Sequence, residues 1–464
     1  MLQPVNRLPL EILSQIVQCV PHQRDTDTGP IIRLTHVCRY WREFIISTPS
    51  NWTLISSRSK SLTALSLKRS KGAPLELRLN MLQVRSNPGF SDLLLPHTRN
   101  TRILDIDSIL TIEELTQEFP NFLQSMPNLR SLELWRKDTT GGWDPSIDPF
   151  EPLPHALRSL SLFSIHLYPS FLRLTALTKL LLHNKQFNLH VDALLDFLEE
   201  NRSLESADLE IRFSESSLRN SQRGSVVVNR LQLLSITCAD AEDARALSSN
   251  IALRRGAHLE ISCRHPYVEL NDILSGVSTA HHSNLCSPTF LEYRSNPREI
   301  QLHGPNGRFS YIRFLGAGNP FGELSLFPLT SIRELRLACG MPPWEQLPPT
   351  PYIFGWSLPA LEVLAIERNT SISRFLSPLF LDPSSTRSLK ILAFLNCAIT
   401  DEFIEGELTR FADDRKKSAS TWLHRVVVVS GEGRFPSIDS IHVLQRHVAV
   451  VEMWMGNTLP TDLT

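Results

Sequence analysis

Nowhere does the 464-residue chain carry a run of about 18 uncharged apolar side chains, the length a helix needs to cross a bilayer. Neither sign of charge is in excess: 47 Lys and Arg stand against 48 Asp and Glu, a formal net charge of -1. That balance argues against a nucleic-acid binder or a polybasic membrane-surface protein, both of which need a cationic face. Cysteine is sparse. Cys19, Cys38, Cys238, Cys263, Cys286, Cys339 and Cys397 are odd in number and form no C-x-x-C pair, so a disulfide framework or a zinc module is not expected. Phosphate loops are missing too: there is no G-x-x-x-x-G-K, and Gly316-Ala317-Gly318 has the wrong spacing for a dinucleotide loop, with Pro320 inside the would-be helix. His281-His282 lacks a ligand at metal-binding spacing, and Cys263 with His265 lacks a third group to orient them. The expectation is a protein without a catalytic centre, metal or cofactor. Arg7, Glu11, Pro4 and Pro9 interrupt any signal-peptide core, which places the chain in the cytoplasm or nucleus.

What is present begins with a folding composition, 42% apolar and 20% charged. The length exceeds one compact core, so several domains or a repeat array are expected. Near the N-terminus, Pro9 sits where a helix can begin without losing a hydrogen bond. Ile12, Leu13, Ile16, Val17 and Val20 then recur at the spacing of a one-sided helix that Pro21 ends. A polar turn from His22 to Pro30 follows. Ile31, Leu34, Val37, Cys38, Trp41, Phe44 and Ile45 predict a second helix stopped before Pro49, with Trp52 and Ile55 close behind. So small a module needs aromatic anchors and a partner surface to be stable.

The stretches Leu8-Pro9-Leu10-Glu11-Ile12-Leu13, Leu34 to Arg42 and Pro49-Ser50-Asn51-Trp52 resemble, in order, the F-box, a three-helix module that docks proteins onto the Skp adaptor of cullin-RING ubiquitin ligases. The resemblance implies that Leu8, Pro9, Leu10, Ile12, Leu13 and Ile16 face the adaptor. It implies that Leu34, Val37, Cys38, Trp41 and Trp52 hold the module together. Two departures are local: Asn51 replaces the usual leucine before the last tryptophan, and the turn from Pro21 to Pro30 is long. A helical cap with no adaptor bound is the alternative reading of the same residues.

After a polar stretch, Ser56 to Lys71, the pattern changes. Leu75-Glu76-Leu77-Arg78-Leu79 alternates with period two and predicts a first strand. A phrase L-x-x-L-x-L then recurs at Leu129, Leu157, Leu177, Leu204, Leu231, Ile332, Leu361 and Leu389, with weaker copies at Thr101, Leu423 and Val448. Successive copies from Thr101 to Leu231 lie 28, 28, 20, 27 and 27 residues apart, and those from Ile332 to Leu389 lie 29 and 28 apart. This is the period of leucine-rich repeats, in which stacked units share one core. Returns are predicted as helices over Ile112–Gln124, Val191–Glu200, Asp401–Phe411 and Ser437–Arg446, and the phrase fades between Ile236 and Ile332. The predicted class is therefore α/β, a short helical F-box over 1–56, a linker over 57–74, and a curved leucine-rich-repeat-like solenoid over 75–464. The combination, with Leu67 to Leu75 and Pro127 to Leu132, also resembles F-box proteins of mushroom-forming fungi that carry a divergent leucine-rich region.

Within such strands the leucines point to the core and the intervening residues to the concave surface. That face would carry Glu133 and Trp135, Ser161 and Phe163, Leu181 and His183, then Asp208 and Glu210. Trp135 and Phe163 would stand about 5 Å apart on neighbouring strands, as interface aromatics do, unless the proline-rich insert from Asp144 to Pro154 folds over them. Asp208 and Glu210, near Glu205, favour a basic partner segment or simply a solvated face. The resemblance implies a receptor that joins a protein substrate to the Skp adaptor and, through it, to a cullin, with no nucleic acid and no membrane. A repeat scaffold with a vestigial F-box is the second reading.

Overall fold

The computed structural model describes residues 8–19, 29–109, 124–136, 154–165, 169–183, 191–210, 226–238, 241–254, 256–263, 273, 288, 290–295, 298–304, 307–313, 329–338, 358–367, 372, 386–417, 422–431, 435–456 and 458. The chain divides into two compact units, Met1–Ser221 and Gln222–Thr464.

The first unit opens with three short helices: α1 (Leu10–Gln18), α2 (Gly29–Leu34) and α3 (Arg39–Ser47). Pro9 precedes the first helical residue by one position and takes its extended backbone at the cap. Leu13, Val17, Ile31, Trp41, Ile45 and Trp52 form the buried core of this module. Trp52 donates its indole N–H to the Ile45 carbonyl at 2.8 Å, so the ring is buried without stranding its polar atom.

The polypeptide then enters a sheet sooner than its sequence predicts. Strand β1 (Leu54–Ser56) is too short to show alternation, yet it pairs in parallel with β2 (Leu75–Asn80). Between them runs α4 (Lys60–Ser70), started by Ser59, whose hydroxyl accepts from the Leu62 N–H, and ended by Lys71 at φ 49°. Its buried stripe is Thr63, Ser66, Leu67 and Ser70, and Thr63 donates to the Ser56 carbonyl at 2.7 Å. Residues 57–74, expected as a linker, are therefore largely a packed crossover helix. The stretch looks polar because its inner face carries small hydroxyl side chains beside Leu67, of which Thr63 and Ser70 bond to nearby carbonyls. The Arg69 guanidinium lies 4.3 Å from the Trp52 ring, tying the crossover to the helical module.

Strand β2 continues in parallel to β3 (Thr101–Ile109), β4 (Ser131–Arg136), β5 (Ser159–Phe163), β6 (Lys179–His183) and β7 (Ser206–Glu210). The pairing aligns Leu104, Leu132, Leu160, Leu180 and Ala207 in one row, and Ile106, Leu134, Leu162, Leu182 and Leu209 in the next. All ten are buried. A tight turn precedes the phrases: the N–H groups of Leu129, Leu157 and Leu204 donate to the carbonyls of Met126, Pro154 and Asn201. Asn201 is itself fully buried, and its side chain accepts from the Leu177 N–H while donating to the carbonyls of Leu174 and Phe197. It follows the helix Val191–Glu200, where the sequence predicts one.

In the second unit, β8 (Val226–Val228) pairs only with β10 (Ile251–Leu253) among the described residues. The main sheet runs from β9 (Leu233–Cys238) to β11 (His258–Cys263), in parallel. Where the phrase fades, β12 (Phe290–Ser295), β13 (Arg298–Gly304) and β14 (Gly307–Arg313) form an antiparallel meander. Strand β11 joins that meander at β14 and β15 (Glu334–Ala338) leaves it at β12, both in parallel. Parallel order then resumes through β16 (Val363–Glu367), β17 (Ile391–Leu395), β18 (Arg425–Ser430) and β19 (Val450–Met455). Leu335, Leu364, Leu392 and Val426 fall in register and are buried, as are Leu337, Ile366, Phe394 and Val428. The last copy behaves differently. Met453 occupies a core-facing register position opposite Val428 but is 44% exposed, because β19 is paired on one side only among the described residues. The predicted return Ile112–Gln124 lies outside the described residues except for its last position.

Candidate functional site

Two surfaces of the first unit carry the residues singled out from sequence. The first is the outside of the helical module. Leu13 and Val17 are four apart on α1 and share its buried stripe, whereas Leu10, at the first helical position, is 51% exposed and Ile12, away from that stripe, is 39% exposed. Pro9 is also exposed, and Leu8 and Ile16 are half-buried, packed at the margin of the core. Leu13, expected in the adaptor-facing set, is instead fully buried in the core of the module beside Val17. Leu34 and Cys38 pack against the core as partly buried residues, and Trp41 and Trp52 lie within it.

Val37, expected inside, is 52% exposed. It stands in the turn after α2, where its N–H donates to the Leu34 carbonyl and Thr35 Oγ1 donates to Ile32 O. The turn interrupts the 3.6-residue rhythm on which the sequence expectation rested and swings Val37 outward. Tyr40 donates its hydroxyl to the Leu8 carbonyl at 3.0 Å, holding the segment before α1 against α3. The result is a module with its own core and an outer surface bearing Leu10, Ile12 and Val37. Exposed apolar side chains of this kind gain most by burial against another protein.

The second surface is the face of the sheet opposite the leucine rows. Equal register brings its residues together from strands far apart in sequence. Trp135, Phe163, His183 and Glu210 occupy one row across β4 to β7, and Glu133, Ser161, Leu181 and Asp208 the adjacent row. Trp135 and Phe163 stack with an interplanar angle of 11°, and His183 meets Phe163 edge-on at 78° and 5.3 Å. His183 Nε2 lies 3.2 Å from Asp208 Oδ2, and its Nδ1 lies 3.9 Å from Glu210 Oε2. At the other end the Trp135 indole N–H donates to Glu133 Oε1. Every residue of the expected partner surface, Glu133, Trp135, Phe163, His183, Asp208 and Glu210, belongs to this continuous patch. Glu210 is nearly buried, whereas the side chains of His183 and Asp208 are about one-third exposed. The insert from Asp144 to Pro154, which would cover the rings in the alternative reading, lies outside the described residues except for its last position.

One more strand contributes to this face. Asp105 aligns with Glu133, and Arg78 of β2 aligns with Asp105. Ser108, at φ 60°, marks an irregularity in β3 after Ile106, so that Ile109 rather than the next residue in step faces Arg136. Asp107 lies within this irregularity, exposed, with its Oδ1 accepting from the Ser108 N–H. The signal was available in the shared phrase: aligning the copies by their leucines brings Asp105 beside Glu133. Among the described residues, no group of three or more His, Cys, Asp or Glu side chains is placed to hold a metal ion.

Residues 5–58 match the F-box-like family model. The match spans the three helices, the turn bearing Trp52 and the first strand, so this part of the chain is an F-box-like domain. No curated protein matches the chain.

Proposed function

We propose that this chain is a substrate-recognition subunit of an SCF-type (Skp-cullin-F-box) ubiquitin ligase, with no catalytic centre of its own, acting in the cytoplasm or nucleus. The F-box-like domain docks on a Skp adaptor and through it on a cullin. The parallel strands form a leucine-rich-repeat-like solenoid whose exposed sheet face, opposite the leucine rows, holds the protein to be modified. One observation carries the reading: the segment matching the F-box-like family completes its own core and still exposes Leu10 and Ile12. The direct run from Trp52 through β1 into the sheet adds to it, because a packed joint holds a captured protein at a fixed place relative to the adaptor. The function is then positional, raising the effective concentration of a substrate lysine near the conjugating enzyme.

Proximity labelling under proteasome inhibition tests this with the full chain and with a Leu10→Asp, Ile12→Asp variant. Neighbours that accumulate on inhibition with the wild type, and turn over more slowly with the variant, are expected. Neighbours whose turnover is the same in both would contradict the receptor role and leave a non-degradative scaffold with a vestigial F-box.

A further inference from the structure

The face of β3 to β7 opposite the leucine rows has a chemistry that fits one kind of occupant. Its centre is the stacked pair Trp135 and Phe163, and carboxylates bracket that pair on both sides. Glu133 lies on β4 beside Trp135 with Asp105 next to it on β3, and Asp208 and Glu210 lie beyond His183 on β7. The described basic residues at comparable positions are Arg78 and Lys179, and Arg78 already pairs with Glu76 at the edge. A chain with a formal net charge of -1 has therefore gathered a local excess of carboxylates around an aromatic platform. Phosphate groups would be repelled, which disfavours nucleic acid. A guanidinium gains twice here, because its flat face stacks on an aromatic ring and its edge forks onto a carboxylate.

Dimensions agree. Three strand spacings separate β4 from β7, roughly 14 Å at about 4.8 Å each. An extended segment of about four residues covers that span.

We propose that the face centred on Trp135, Phe163 and His183 binds a short, extended, arginine-containing basic segment of a protein partner. Arginine stacks on the aromatic pair, and its basic neighbours meet Glu133 on one side and Asp208 and Glu210 on the other. As an account of substrate class this rests on the receptor reading, but the binding itself is independent of the adaptor.

The test uses the full chain and a labelled Arg-Ser repeat peptide, with Lys-Ser and Glu-Ser peptides of equal length, read by fluorescence anisotropy. Binding of the Arg peptide is expected, weaker by several-fold for the Lys peptide, and undetectable for the Glu peptide. It should fall at least about tenfold between low and high salt. Trp135→Ala should weaken it about tenfold or more, Trp135→Phe by less, and Asp208→Asn with Glu210→Gln comparably to the alanine variant. Asp413→Asn with Asp414→Asn, on a helix of the second unit, should leave it unchanged. The charge-neutral pair keeps the test valid if Trp135→Ala fails to fold. No binding, equal binding of the Arg and Glu peptides, or binding indifferent to the β4–β7 variants would overturn the proposal. Adaptor co-purification, measured on the same variants, should be unaffected, so failure here and failure of the receptor reading give different results.

Discussion

Strand β4 of the first unit and strands β16 to β18 of the second use the same phrase but treat its intervening residues in opposite ways. In β4, buried and half-buried positions alternate strictly, and the half-buried ones are Ser131, Glu133 and Trp135. In β16 to β18 the corresponding positions include Ala365, Ala393, Leu395, Val427 and Val429, all buried in a second apolar cluster. A parallel strand covered on both faces becomes a near-continuous apolar run, as Val426-Val427-Val428-Val429 does, whereas a half-covered one alternates. On the proposed receptor reading, the difference separates support from recognition. The second unit invests both faces of these strands in stability. The first leaves one face for polar and aromatic groups that a partner can meet.

The largest expected effect tests that contrast. Val427→Asp should cost about 4 kcal/mol or more, because a carboxylate would enter a closed apolar cluster. Leu181→Gln, at the comparable place on β6, should stay within about 1 kcal/mol. Thermal melts of the two variants measure the gap, and similar losses would erase the proposed division of labour.

The units are alike, by contrast, in how they secure the turn before a phrase. Asn201 reaches back to Leu174 and Leu177, and Arg415 reaches back to the carbonyls of Thr386, Arg387 and Leu389. Arg415 is fully buried, and desolvation pulls its pKa down to about 10, which still leaves it charged at neutral pH. Arg415→Ala should destabilise by about 3–5 kcal/mol, since it removes the donor from two buried carbonyls and one part-buried one. Asn201→Ala should cost about 2–3 kcal/mol for smaller, neutral bonds. Denaturant titration checks both, and a larger loss for Asn201 would reverse the ranking.

A smaller effect concerns the second unit alone. Asp401 accepts the Ser437 N–H at 2.7 Å just before the helix Ile438–Gln445, and that bond holds its carboxyl below the usual range. With the folded pKa depressed, the contribution is full above the unfolded value and is lost as pH falls through the folded one. Hydrogen exchange at the start of this helix should therefore quicken in acid, and Asp401→Asn should flatten that response. Acid quickening of the same size in the variant would contradict it.

Much of this organisation was legible in the chain because it rests on period. Leucine spacing set the strand positions, and once the copies align, it also dictates that Trp135, Phe163 and His183 share a row. Illegible parts had local causes. Strand β1 is too short to alternate, α4 hides a buried stripe among hydroxyls, and the turn at Val37 breaks the helical rhythm that assigned it to the core. Asn201 and Arg415 were missed because a single buried polar residue before one phrase leaves no repeating signal, and, Phe197 aside, their partners lie 24 to 29 residues away.

Adaptor binding tests the central claim most directly, by calorimetry of the purified chain with a Skp adaptor. Wild type should bind tightly, and Leu10→Asp with Ile12→Asp should weaken binding at least about a hundredfold, as loss of two interface anchors implies, without lowering the melting temperature. Undetectable binding by the wild type, or equal affinity in the variant, would contradict the account.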